Sequence, residues 1–190
     1  MFGKILITFA CVIVVSSCQS LKNVATTPVP NPGPCPNAMS LYDAHRLVEL
    51  KGERNIYENV GFTAEILNVS GTCRYTDQRA DPINVEVSVD LAFGRGAAAA
   101  GETKVYELFL AVTALDKFVV DKQVFPIVVT FPAGKDRVYH SEYFSEVLIP
   151  RAAAETSGAN YEILFGFELT DEQLKFNRSG LRFRINAGQD

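Results

Sequence analysis

Along most of this chain, apolar and polar residues alternate. Ile83, Val85, Val87, Val89, Leu91 and Phe93 share one parity, with Asn84, Glu86, Ser88, Asp90 and Ala92 between them. Successive side chains of a strand point to opposite faces, so this pattern predicts a strand with one buried and one wet face. Val60, Phe62, Ala64 and Ile66 repeat the pattern, as do Tyr161, Ile163, Phe165, Phe167 and Leu169. Residues 105–114 are mostly apolar on both parities, as a strand covered on both sides would be. Residues 118–131 hold two apolar runs with Pro126 inside the second, which predicts a bulge or an edge because proline cannot donate to a ladder. Residues 138–149 are a further strand candidate, stopped by Pro150. Residues 40–50 fit two patterns: Ser40 can cap a short helix, while Leu41, Asp43, His45 and Leu47 can equally ride a strand.

Turn chemistry separates these runs. Ser70-Gly71 predicts a break between two short strand pieces, and Asp81-Pro82 precedes Ile83. Gly94, Gly96 and Gly101 bracket an alanine run, while residues 115–117 and Pro132-Ala133-Gly134 each join two strands. About seven short strands with such punctuation, and no long crossover helix, predict an all-β, mostly antiparallel immunoglobulin-like β-sandwich over residues 37–190. One short helix is expected near the C-terminus. Thr170 and Gln173 have capping-box spacing, Asp171 and Glu172 suit the positive helix end, Leu174 and Phe176 turn inward, and Gly180 ends it. Leu181 to Ile185 is a candidate for a last strand.

The first residues follow another pattern. Lys4 precedes an apolar run, Ile5 to Val15, broken only by Thr8. Eleven helical residues reach only about half of a ~30 Å hydrocarbon core, so residues 1–17 read as a signal peptide rather than a spanning helix. Val15-Ser16-Ser17-Cys18 resembles the bacterial lipobox. The resemblance implies that the Cys18 thiol takes a diacylglycerol and that the leader is cut before it. The alternatives are an ordinary secreted chain cut near Ser17 or Ser20, and an uncleaved anchor. Cys11, inside the apolar run, reads as a small hydrophobe.

Residues 18–36 then form a spacer with Pro28, Pro30, Pro32, Pro34 and Pro36, a composition that favours extended polyproline II. Of the four cysteines, Cys11 leaves with the leader and Cys18 carries lipid. Cys35 and Cys73 remain, in an oxidising compartment, and are expected to form a disulfide. The rival readings, a reactive thiol or a metal pair, lack a nearby His or a second Cys at CxxC spacing.

Several segments, FTAEI (62–66), SGTCRY (70–75), FPIVVTF (125–131) and LTDEQLKFNR (169–178), resemble an uncharacterised family of alphaproteobacterial lipoproteins. The resemblance implies an exported, anchored domain and assigns no chemistry.

Net charge is −4 and the isoelectric point about 5.3, which argues against a nucleic-acid partner. His140-Ser141-Glu142 brings three catalytic residue types together, but strand neighbours face opposite ways, and no GxSxG accompanies them. Asp43 and His45 would be only two ligands of a metal site. Asp77, Asp81 and Asp90 miss the spacing of a calcium loop. Gly94-Arg95-Gly96 lacks the strand-to-helix setting of a phosphate loop. Tyr139 and Tyr143 share one strand face, and core or cross-strand packing is expected for them ahead of ligand stacking. No catalytic residue, cofactor or metal is therefore expected. The leading expectation is a structural or protein-interaction module without enzymatic activity, held by its lipid in the cell envelope. A small-ligand or glycan-binding lipoprotein is the alternative. By resemblance to enterobacterial lipoprotein sorting, Gln19 after Cys18 implies the outer membrane, facing the periplasm.

Overall fold

The computed structural model describes residues 33–75, 82–115, 118–153 and 156–183. The expected leader, Cys18 and the expected spacer through residue 32 lie outside these, as do Asp77, Asp81 and residues 184–185.

Eight strands form two four-stranded sheets among the described residues. In the first, β1 (Asn37–Ser40), β8 (Tyr161–Phe167), β5 (Thr103–Ala114) and β6 (Phe118–Thr130) lie side by side in that order. The second follows the order β2 (Arg46–Leu50), β3 (Val60–Tyr75), β4 (Ile83–Arg95) and β7 (Arg137–Ile149). All pairings are antiparallel except that of β1 with β8. The expected mostly antiparallel all-β architecture is thus present. A two-residue gap suffices for a hairpin, but a parallel neighbour must arrive from elsewhere in the chain. β1 does so through the chain's entry into the domain.

The alternation in β4 turns Val85, Val87, Val89, Leu91 and Phe93 into one core with Tyr106, Leu108, Leu110 and Val112 of β5 and Ile163, Phe165 and Phe167 of β8. Each such side chain contributes about 1.5–3 kcal/mol by leaving water. Tyr106 is 1% exposed; its ring lies 4.6 Å from Phe93, and its hydroxyl donates to the Thr63 carbonyl at 3.2 Å, tying the two sheets together. The other face of β5 is also covered: Phe109 and Ala111 pack with Ala44, Leu164 and Leu169. That is why residues 105–114 are apolar on both parities. Pro126 lies on β6, an edge strand, opposite Glu107.

Ser70-Gly71 is not a turn, because β3 runs unbroken from Val60 to Tyr75. A bulge at Leu67, between the paired Ile66 and Asn68, shifts the inward parity from Phe62, Ala64 and Ile66 to Val69, Cys73 and Tyr75. The broken alternation mimics two strands. Residues 40–50 are neither wholly helix nor wholly strand: a single 3-10 turn, Tyr42–Ala44, separates β1 from β2.

Helix α1 (Asp171–Arg178) carries the expected capping box. Gln173 N–H donates to Thr170 Oγ1 at 3.3 Å, and Thr170 N–H to Gln173 Oε1 at 2.9 Å. Phe176 is buried and Leu174 half-buried, and Gly180 takes φ +78° past the helix end. Asn177 Nδ2 fixes the helix to the fold by donating to the Asp43 and Arg46 carbonyls, both at 2.8 Å. Residues 181–183 form no strand.

Cys35 and Cys73 are bonded, with Cα atoms 5.5 Å apart. Their neighbours lock the same corner. Tyr75 hydroxyl donates to the Pro34 carbonyl at 2.8 Å and accepts from Gly158 N–H at 2.8 Å. The last residues of the expected spacer, Gly33 to Pro36, therefore lie on the body of the domain.

Candidate functional site

The strand that buries its odd residues must present its even ones. Glu86, Ser88 and Asp90 of β4 consequently point away from the core, and register supplies their neighbours. Asn68, Asp90 and Ser141 form one cross-strand row; Ser70, Ser88 and Tyr143 form the next; Thr72 stands beside Glu86 in the third. The result is an open, polar face built from β3, β4 and β7, with Tyr139 and Tyr143 standing on its edge strand.

Hydrogen bonds knit this face across the strands. Ser141 Oγ donates to Asp90 Oδ1 at 2.7 Å, and Asn68 Nδ2 reaches Asp90 Oδ2 at 3.4 Å. Tyr143 hydroxyl donates to Glu86 Oε2 at 2.7 Å, and the Arg74 guanidinium lies 3.8 Å from the other oxygen of Glu86. The Tyr143 phenol is held above its ordinary pKa, first by this bond, then by slight desolvation and the Glu86 charge, with Arg74 acting in the opposite sense. The bond also lays Tyr143 toward β4, while leaving it 61% exposed; Tyr139 is 62% exposed. Core packing, one of the two expectations for these rings, is thus excluded. Cross-strand bonding holds for Tyr143. Four residues of strand separate the two tyrosines by about 14 Å.

The other sequence candidates do not assemble. His140 Nε2 meets Glu142 Oε1 at 2.7 Å, while Ser141 turns to Asp90 on the opposite side of β7. The three residues therefore form no relay. Asp43 pairs with Arg178 Nε at 2.8 Å, and His45 Nδ1 contacts the Tyr42 carbonyl, so the two do not share a ligand position. Gly94 and Arg95 end β4 and lead into a turn rather than a helix. Among the described residues no three His, Cys, Asp or Glu side chains stand close enough to hold a metal. Asp77, Asp81 and the lipid-attachment candidate Cys18 lie outside the described residues.

Among the described residues, the grooves beside α1 and at the strand ends are shallow and open. An open groove of about 550 Å³ runs between Leu50–Asn55 and α1, lined by Glu53, Glu172, Lys175 and Phe176 among others. It gathers no converging polar set comparable to the rows on β3, β4 and β7. Beside it Glu49 is clamped by Lys104, at 2.7 Å, and by Lys51. Burial raises the Glu49 pKa, but the two lysines outweigh it and the net shift is downward.

No known protein family, curated protein or solved structure matches the chain.

Proposed function

We propose that this chain is a lipid-anchored, non-catalytic module of the bacterial envelope, attached through Cys18 to the periplasmic side of the outer membrane, that binds a protein partner on the open face of β3, β4 and β7. The observation that carries the reading is this face itself. It pairs two half-wet aromatic rings with cross-strand rows of hydrogen-bonding side chains, the composition of a protein interface in which tyrosine and arginine dominate. The lipobox resemblance and the proline-rich spacer support the anchor. The alphaproteobacterial lipoprotein resemblance points the same way.

The domain reads as immunoglobulin-like. The pairings β3–β4, β4–β7, β5–β6 and β5–β8 support this, with β4, β5, β7 and β8 where that fold has strands B, C, E and F. β1 then stands beside β8 in the place of strand G, but parallel.

The test is a photo-crosslinking residue at position 139 in cells, with position 57, in the connection between β2 and β3 by the opposite edge of the sheet, as control. A defined adduct from 139, absent from 57 and lost with Tyr143→Ala and Asp90→Ala, is expected. Equal patterns from both positions overturn the reading. The exposed, spaced pair Tyr139 and Tyr143 also favours a second reading, an extended glycan stacked on the rings. In that case electrophoresis through a polysaccharide gel retards the protein, and Tyr139→Ala removes the retardation.

A further inference from the structure

β2 covers only the first part of β3. Its pairing runs from Leu50 beside Val60 to Arg46 beside Glu65, and the His45 carbonyl accepts from Ile66 N–H at 2.9 Å. β3 continues to Tyr75, and from Leu67 onward no strand among the described residues pairs with it on that side. Two glycines of β3 register the change: Gly61, beside β2, is buried, and Gly71 is exposed. Glycine has no Cβ, so the exposed surface of Gly71 is main chain. Strand residues whose side chains point one way also turn their N–H and C=O to one side. Ile66, an inward residue, bonds toward β2, so the inward residues past the Leu67 bulge, Val69, Gly71 and Cys73, aim theirs at the open edge. Among the described residues no backbone bond reaches them there. The other edges are guarded. Pro126 interrupts β6, His140 and Glu142 of β7 stand on the inward parity opposite Leu91 and Val89, and β1 and β2 are four and five residues long. Residues 69–73 of β3 carry neither proline nor charge.

We infer that this open edge of β3 takes an extended strand from a protein partner, which lengthens the sheet beyond β3. The inference rests on the protein-binding reading of the β3, β4 and β7 face and says how that partner is gripped: by main-chain bonds to Val69, Gly71 and Cys73. An unpaired row of strand N–H and C=O groups is a template for another chain. The edge adjoins the polar face, since Asn68, Ser70 and Thr72 are the near members of its cross-strand rows. A strand laid here lengthens each row by one residue, so its outward side chains are polar. The one beside Arg74 is acidic, because the Arg74 side chain is 81% exposed and its neighbour Glu86, 3.8 Å away, is already engaged by Tyr143. Its inward side chains are small and apolar. They meet the half-buried Val69 and Cys73, and Ala38, which stands on the core side of Gly71.

Amide exchange of the full-length chain in detergent, resolved to single residues, tests the edge before any partner is known. Val69, Gly71 and Cys73 should exchange about tenfold or more faster than Ser70 and Thr72, which turn toward β4. Slow exchange at all three, at every protein concentration, shows an edge covered by the chain itself and overturns the inference. Protection that grows with concentration assigns the edge to a second copy and overturns it too. The partner is tested with the cross-linker at position 139. Gly71→Ala and Gly71→Pro add the same Cβ, but only proline removes the outward N–H, a group the ladder to β4 does not use. The adduct should survive Gly71→Ala and be lost with Gly71→Pro, and in the purified parent adduct the amides of 69, 71 and 73 should be protected. If Gly71→Pro does not fold, protection in the parent adduct decides alone. An adduct undiminished by Gly71→Pro, or amides still fast in the parent adduct, overturns the strand pairing and leaves the binding face standing. No adduct from 139 in the parent overturns both.

Discussion

Removing the Cys35–Cys73 bond tests whether the N-terminal clip acts on the unfolded chain or on the folded one. The perturbation is the double substitution Cys35→Ala and Cys73→Ala, which leaves no free thiol at the site. The bond closes a loop of 38 residues. In the chain-entropy account, opening such a loop costs about 4 kcal/mol at 25 °C. The folded state has little reason to change. Tyr75 still bridges Pro34 and Gly158, and β1 still pairs with β8 from Asn37 to Ser40. The loss should therefore appear as an easier global unfolding. With a urea slope of about 2 kcal/mol/M, the midpoint falls by about 2 M while the slope stays the same. Far-UV circular dichroism during urea unfolding measures it, and the parent protein under reductant should follow the variant. Amide exchange of residues 37–40 separates the alternatives: if β1 peels away in the variant, these amides lose protection below the global transition. A parent midpoint indifferent to reductant, or a variant equal to the parent, refutes the reasoning.

Two further outcomes follow from single side chains. Glu49 has a lowered pKa, so it binds its proton less readily folded than unfolded; its stabilisation is complete above its unfolded pKa and is lost as pH falls through the folded value. Glu49→Gln should accordingly be less stable than the parent at neutral pH, with the gap closing in acid, as followed by urea midpoints across pH. Thr170→Ala removes the side-chain half of the capping box and should cost about 1 kcal/mol, with faster amide exchange confined to the first turn of α1.

The sequence shows best what depends on near neighbours. The period of β4 and the cap of α1 are written in residues a few positions apart, and both elements stand where that spacing puts them. β3 resists the same treatment because its bulge at Leu67 reverses the parity, and a reversed parity beside Ser70-Gly71 has the signature of a turn. The parallel entry of β1 has no local signal at all. The Cys35–Cys73 pair follows by elimination from a reading in which Cys11 leaves with a leader and Cys18 carries lipid, and the bond itself is present. The candidate face was not. Its rows join residues from 68–74, 86–90 and 139–143, so only the register of three strands distant in sequence makes them neighbours. Tyr139 and Tyr143 share a face on pattern alone, but whether that face is wet depends on which sheet lies behind it.

A domain anchored as proposed is held by one end and can be pulled by it. Any load on the spacer arrives at Cys35 and passes through the sulfur bridge into β3, bypassing β1, the 3-10 turn and β2. From β3 it spreads along the ladders to β4 and β7, the strands that carry the tyrosine face. A tug between the membrane and a partner bound there would run entirely through the second sheet, against long antiparallel ladders, and would leave the short parallel seam between β1 and β8 unloaded. Without the bridge the same tug would begin by unzipping that four-residue seam. The clip thus decides which hydrogen bonds bear tension, as well as how firmly the chain folds.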